Sequence, residues 1–205
     1  FAVILGVDPS LSGTGISIVS NDGELVHSEC VKEKKRSIKK IKKTFYEIQS
    51  DARIVSEKYD VADFFGNRSL VIAERVEVAI DSFDIDSVVI ESISFGSPGR
   101  IADLAELLGV IKAVVSKHKI KLYQVPPTSL KMYTADNGHA DKDEMVFFAN
   151  QRYGLKFESH DICDSFCLAM MLYQLPTNLQ EYLDSKDKRK FIKNLLKSSK
   201  ISEAA

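Results

Sequence analysis

Four acidic residues in this 205-residue chain occupy positions where a carboxylate is costly unless something answers its charge. Asp8 ends the apolar run AVILGVD and is followed at once by PSLSGTG, a turn whose glycines let other groups come close to it. Glu91 closes the apolar run VVIE, where a buried charge must be paired or bound to a metal. Asp161 and Asp164 stand three apart at the start of DICDSFCLAMMLYQL, so both fall on one helical face near the favourable end of its dipole. Taken singly, a strand-end Asp reads as a turn former and an N-terminal acid pair as capping. Taken together, the four converge if the first and fourth strands are neighbours and the last helix packs across them, and these motifs hold no Lys or Arg to neutralise them. An oxygen-only cluster of this kind suits Mg²⁺ or Mn²⁺. Two such ions roughly 4 Å apart can activate a water and stabilise the leaving 3′ oxygen of an in-line phosphodiester displacement.

The elements that must position these acids are readable from periodicity. AVILGVD, TGISIVS and ELVHSECV are three short apolar runs, the last two joined by the turn Asn21-Asp22-Gly23, and they predict three antiparallel strands. From about Ser37 to Phe83 the three-and-four spacing of Ile41, Phe45, Ile48, Ala52 and Val55 predicts helix, broken near Gly66-Asn67. SVVIES (87–92) and KLYQV (121–125) predict buried strands, and RIADLAELLGVIKAVVSKH a helix between them. Pro126 and Pro127 stop the second of these strands, and Thr128 is positioned to cap the helix that follows. Asp141 starts a helix that Gly154 ends, and Asp161 opens the last core helix, which Pro176 ends. The expectation is an α/β domain over 1–176, a mixed five-stranded sheet of three antiparallel strands followed by two parallel ones with helices on it, and a basic helical extension over 177–205.

The net charge of −1 conceals a segregation. Residues 32–43 hold eight Lys/Arg and one acid, residues 184–200 hold seven and two, and the rest of the chain has 13 basic residues against 26 acidic ones. An acidic body with basic patches suits a polyanionic partner and metal ions together, although lysine runs can also simply solvate a face. Cys30, Cys163 and Cys167 lack the spacing of a zinc site or the even count of a disulfide framework, so they read as free thiols. FAVILGVD meets an acid too early to act as a signal, and no apolar run spans a bilayer. The expectation is a soluble, intracellular protein of the cytoplasm, bacterial or in a viral host cell, or of an organelle containing DNA.

LGVDPSLSGTG, VVIES with Phe95 after it, LAELLGVIKAVV, PPTSLKMYT, ADKDEM and HDICDSFCLAMM occur in the order and approximate spacing of RuvC-type Holliday junction resolvases, which this chain resembles over about residues 3–175. The resemblance implies an RNase H-like fold, with Asp8, Glu91, Asp161 and Asp164 matching the family's metal-binding carboxylates. It implies a homodimer, phage-encoded forms being among the relatives, that binds a four-way DNA junction and nicks two strands symmetrically to leave 5′ phosphates. Lys131 and Lys142 match basic residues that the family places near the scissile phosphate, Lys142 as part of the catalytic set. Phe95 stands for an aromatic pressed against junction bases, although it lies one position further from Glu91 than the pattern has it. His160 adjoins the acid pair, but the aligned position is Asp161. The stretch 31–86 is longer than in cellular resolvases, and its basic run, with Lys35, Arg36, Lys39 and Lys40, suits the phosphate backbone of DNA arms.

Other readings share some of these features. A sugar-kinase or actin-like ATPase also starts with a strand, an Asp and a Gly-rich turn, but requires a second lobe and a second phosphate loop. A non-catalytic DNA-binding module accounts for the basic runs and leaves four acids unexplained, since carboxylates repel phosphates unless a metal intervenes. A nuclease of looser branched-DNA or RNA–DNA hybrid specificity shares the fold and the metal chemistry. The apolar stripe Ile101, Leu104, Leu108, Ile111 and Val115 fits either a dimer face or the core.

Overall fold

The computed structural model describes residues 2–38, 41–50, 53–60, 64–93, 101–157 and 159–192, the backbone alone over 33–67. The chain runs β1 (Ile4–Asp8), β2 (Gly13–Val19), β3 (Leu25–Ile38), β4 (Ile41–Ser50), β5 (Arg53–Asp60), α1 (Phe64–Ser82), β6 (Ser87–Glu91), α2 (Ile101–Lys117), β7 (Lys121–Val125), α3 (Pro127–Ala135), α4 (Lys142–Tyr153), α5 (His160–Gln174) and α6 (Leu179–Asp184). One sheet holds all seven strands in the order β5-β4-β3-β2-β1-β6-β7. Its centre, β3-β2-β1-β6-β7, is the expected mixed arrangement: β1, β2 and β3 pair antiparallel, and β6 and β7 continue in parallel from β1.

The expected helix from Ser37 is corrected. β3 runs on to Ile38, β4 and β5 follow as antiparallel strands, and helix begins only at Phe64. The three-and-four spacing of apolar residues in 41–55 was a weak guide in a segment rich in β-branched and aromatic residues, which an open sheet edge recruits as strands. Thr128 is also not the cap of α3: the N-cap is Pro126, and Pro127 opens the helix, where its missing N–H costs nothing.

Strand alternation divides the core into two halves. Leu5, Val7, Ile16, Ile18, Val88 and Ile90 pack against α1 and α2, joined by Val76, Ile80, Leu107 and Ile111. Ile4, Val19 and Val89 face the other way and pack with Leu130, Met145, Phe166 and Met170 from α3, α4 and α5. Because successive side chains in a strand take opposite faces, Asp8 falls on the face of Ile4, and Glu91 on the face of Val89. Both therefore belong to the α5 side. Leu108, Ile111 and Val115 are buried in the chain's own core, which takes up that part of the α2 stripe. α6 continues the α5-side core, with Leu179 and Tyr182 buried and the Tyr182 hydroxyl donating to the Ser129 carbonyl at 2.9 Å.

Candidate metal and nucleic-acid site

β1 and β6 are parallel neighbours with Val7 opposite Ile90, so Asp8 and Glu91 lie side by side where the two strands end. α5 crosses this point closely. A Cβ on Gly6 would stand 1.9 Å from the Ser165 carbonyl oxygen, which brings the first turn of α5, with Asp161 and Asp164, down onto the strand ends. The Ser17 and Ser165 hydroxyls, 2.7 Å apart and buried, tie β2 to the same helix. Asp141 caps α4 in a reciprocal capping box with Glu144, which sets Lys142 at the first helical position. α3 carries Lys131. These elements enclose an open cleft of roughly 300 Å³ lined by Asp8, Glu91, Asp161, Asp164, Lys131 and Lys142 among others.

The electrostatics of the cleft are those of crowded acids. Burial and then the charges of Glu91, Asp164 and Asp161 hold the Asp8 carboxyl well above the usual carboxylate range. Burial, reinforced by Asp164, lifts Glu91 to about 7, while a hydrogen bond with Asp8 and the charges of Lys131 and Lys142 pull the other way. Burial lifts Asp164 to about 6, opposed by Lys142. The Asp164 Oδ1 atom is buried without a hydrogen-bond partner. A buried, unanswered carboxylate oxygen among like charges is what an oxygen-coordinated divalent cation would satisfy, so the donor set fits such an ion. Among the described residues, no three His, Cys or acidic side chains are gathered tightly enough to form a ready-made coordination cluster.

Lys142 supplies the nearest counter-charge, with Nζ 3.8 Å from Asp161 Oδ1. His160 sits at the rim. Its Nδ1 lies 3.3 Å from the Lys142 carbonyl, which requires that nitrogen to donate, and its Nε2 lies 3.8 Å from Asp143. One neighbour escaped the sequence reading. The buried Cys30 thiol on β3 donates to Asp161 Oδ2 at 3.5 Å, and burial together with the Asp161 charge pushes that thiol up to about 12. Nothing in the linear sequence signals this contact, which comes from the pairing of Cys30 with Gly15 across β2 and β3. Phe95, Lys39 and Lys40 lie outside the described residues. Lys35 and Arg36 are placed on the backbone of β3.

The sheet order with its flanking helices is an RNase H-like α/β fold. The chain superposes on a Thermus thermophilus RuvC structure with a TM-score of 0.57 and 17% identity, covering 88% of this chain and 97% of that one. It also superposes on T. thermophilus RuvC in complex with Holliday junction substrate, with a TM-score of 0.57, 18% identity and 83% and 92% coverage. Among curated sequences it is 25% identical over 172 residues to the crossover junction endodeoxyribonuclease RuvC of Prochlorococcus marinus, spanning 82% of this chain and 96% of that protein. The RuvC of Helicobacter hepaticus is 26% identical over 175 residues, with 82% and 80% coverage. No family model matches the chain. Over most of its length the chain is similar, at low identity, to RuvC-type Holliday junction resolvases. A phage origin gains no support from these relatives, which are bacterial. Among the described residues, no helix is long and apolar enough to cross a membrane.

Proposed function

We propose that this chain is a structure-specific endonuclease, dependent on Mg²⁺ or Mn²⁺, that resolves four-way DNA junctions as a homodimer by paired symmetric nicks leaving 5′ phosphates. The observation that carries the reading is the meeting of Asp8, Glu91, Asp161 and Asp164 in one cleft with Lys131 and Lys142. The names of the curated relatives and the junction bound by T. thermophilus RuvC support it. Bound there, two ions would activate water and stabilise the leaving oxygen of an in-line displacement. In this reading Asp8 and Glu91 would hold the ions from the sheet, and Asp161 and Asp164 would hold them from α5. Lys142 and Lys131 stabilise charge on the scissile phosphate. Arg36, Lys39 and Lys40 of the basic stretch, together with Phe95, belong to the DNA-contacting surface, with Lys35 beside them on β3. Residues 1–176 make up the nuclease domain and 177–205 a basic extension whose α6 packs back onto its core. The protein acts where DNA recombines and is repaired inside the cell.

The test is cleavage of a labelled immobile four-way junction beside linear duplex and an RNA–DNA hybrid, with Mg²⁺, Mn²⁺ or EDTA. Paired nicks confined to the junction and dependent on metal are the expected result. Cutting of duplex or hybrid instead would replace the substrate. Binding without any cutting would leave a branched-DNA-binding module.

A further inference from the structure

We infer that β3 and β4 form a one-sided basic arm whose α5-side face guides the phosphate backbone of a DNA duplex toward Asp161. The inference rests on the nuclease reading and gives its basic stretch a direction. The thiol of Cys30 meets Asp161 on the α5 side of the sheet, whereas its neighbour Glu29 meets Arg75 of α1 on the other side. Alternation then places Lys32, Lys34 and Arg36 on the face of Cys30. Cross-strand partners share a face, and the register pairs Lys34 with Phe45, Arg36 with Lys43, and Phe45 in turn with Lys58. This face of the three strands from Lys32 outward carries five basic residues, Lys32, Lys34, Arg36, Lys43 and Lys58, against the acids Glu47 and Asp60. The opposite face balances Lys35 and Lys42 with Glu33 and Glu57. The basic run is therefore segregated, and of the pair Lys35 and Arg36 only Arg36 belongs to the row.

Three features favour a ligand over mere solvation. Lysines that only keep a sheet edge from pairing with other chains have no reason to prefer one face. Arg36 lies directly opposite Lys43, and its part of β3 has outrun β2, whose pairing ends at Lys32. Like charges facing each other across strands are destabilising; Asp60, opposite Lys43 on its other side, offsets one of the two, and a polyanion would answer the other. The row also starts at the cleft: the point where a Cβ on Gly13 would stand is 2.8 Å from Asp161 Oδ2 and 3.5 Å from Lys32 Cγ. Same-face residues along a strand are about 6.8 Å apart, close to the axial advance of two phosphates on one DNA strand.

The test compares adjacent residues on opposite faces, Lys43→Glu and Lys42→Glu, in an Asp8→Asn background that binds without cutting, using a four-way DNA junction at about 100 mM salt. Lys43→Glu is expected to weaken binding at least about 10-fold and Lys42→Glu less than about 2-fold, with equal melting temperatures. Lys34→Gln/Arg36→Gln should lower the slope of log K against log salt by about 1.8, two phosphate contacts' worth. Equal losses from Lys42→Glu and Lys43→Glu, or no loss from either, would overturn the arm. Cleavage by the protein with Asp8 intact is scored separately. A protein that never cuts but loses binding through Lys43→Glu alone defeats the nuclease reading and keeps the arm. One that cuts normally with Lys43→Glu and Lys34→Gln/Arg36→Gln defeats the arm and keeps the nuclease.

Discussion

A Cβ placed on Gly15 would stand 1.9 Å from the backbone carbonyl oxygen of Asp161. α5 thus lies directly on β2, and the absence of a side chain at Gly15, as at Gly6, lets the acidic pair reach the strand ends. Gly15→Ala forces backbone against backbone, which a rotamer change cannot relieve. We expect a loss of about 3 kcal/mol in stability, the upper part of the overpacking range, read by thermal or denaturant unfolding. Junction cleavage should fall about 100-fold, since a displacement of about 1 Å is enough for that. A variant that melts and cuts like the parent would show that α5 does not depend on this approach.

Asp8→Asn should abolish cleavage while leaving junction binding intact or tighter. It should also raise the melting temperature in the absence of metal, because it removes a carboxyl whose ionised form burial and the charges of Glu91, Asp164 and Asp161 all oppose, and so the cost of keeping it protonated. Differential scanning fluorimetry in EDTA beside a gel cleavage assay checks both. Cleavage at the parent rate would end the metal-site proposal.

Glu91 and Asp164 carry pKa values raised to about 7 and about 6, so the folded state holds protons that the unfolded chain has already released above pH ~4.5. That contribution to stability is present below the unfolded values and is lost as pH rises through 6 and 7. The metal-free protein should accordingly melt several degrees lower at pH 8 than at pH 5.5. Stabilisation by Mg²⁺ should run the opposite way, growing from pH 6 to pH 8, because the carboxylates must be deprotonated to bind. Melting curves with EDTA and with Mg²⁺ across this range read both trends, and a Mg²⁺ effect that is flat with pH would separate these acids from metal binding.

Arg75 donates to both Glu29 carboxylate oxygens, at 3.2 and 2.7 Å, and the Glu29 side chain is only 1% exposed. Burial pushes Glu29 up, but hydrogen bonds from His27 and Arg75 and their charges bring it below the usual carboxylate range. Arg75→Met leaves a buried carboxylate without its main partner and should cost about 3 kcal/mol at pH 7. The pair's contribution is present above the unfolded Glu value and is lost as pH falls through the lower folded one, so the penalty should shrink toward pH 3. Adding Glu29→Gln should recover much of the loss. A double variant as unstable as Arg75→Met alone would place the defect in packing.

The two-face alternation of β1 and β6, the antiparallel entry through β2 and β3, and the helices carrying Leu107, Met145 and Phe166 were legible because period-2 and period-3.6 patterns are local. The same locality misled over 41–60. An apolar residue every three or four positions is compatible with both states, and the open edge of β3 decided for strand by offering hydrogen-bond partners along its length. Cys30 beside Asp161 and Arg75 beneath Glu29 were invisible, because each joins residues 46 or more positions apart.

By itself, the sequence determined which residues are acidic at the ends of apolar strands and at the head of an apolar helix, and therefore that unpaired charge would have to be met by something. Only the tertiary structure decided that these charges meet each other. The parallel register of β1 and β6 sets Asp8 beside Glu91, and a slip of one residue in either strand would turn that acid to the opposite face. The seat of α5 on Gly6 and Gly15 brings Asp161 and Asp164 to the same cleft. Charge and periodicity are properties of the chain, whereas proximity between distant carboxylates is a property of register and helix packing.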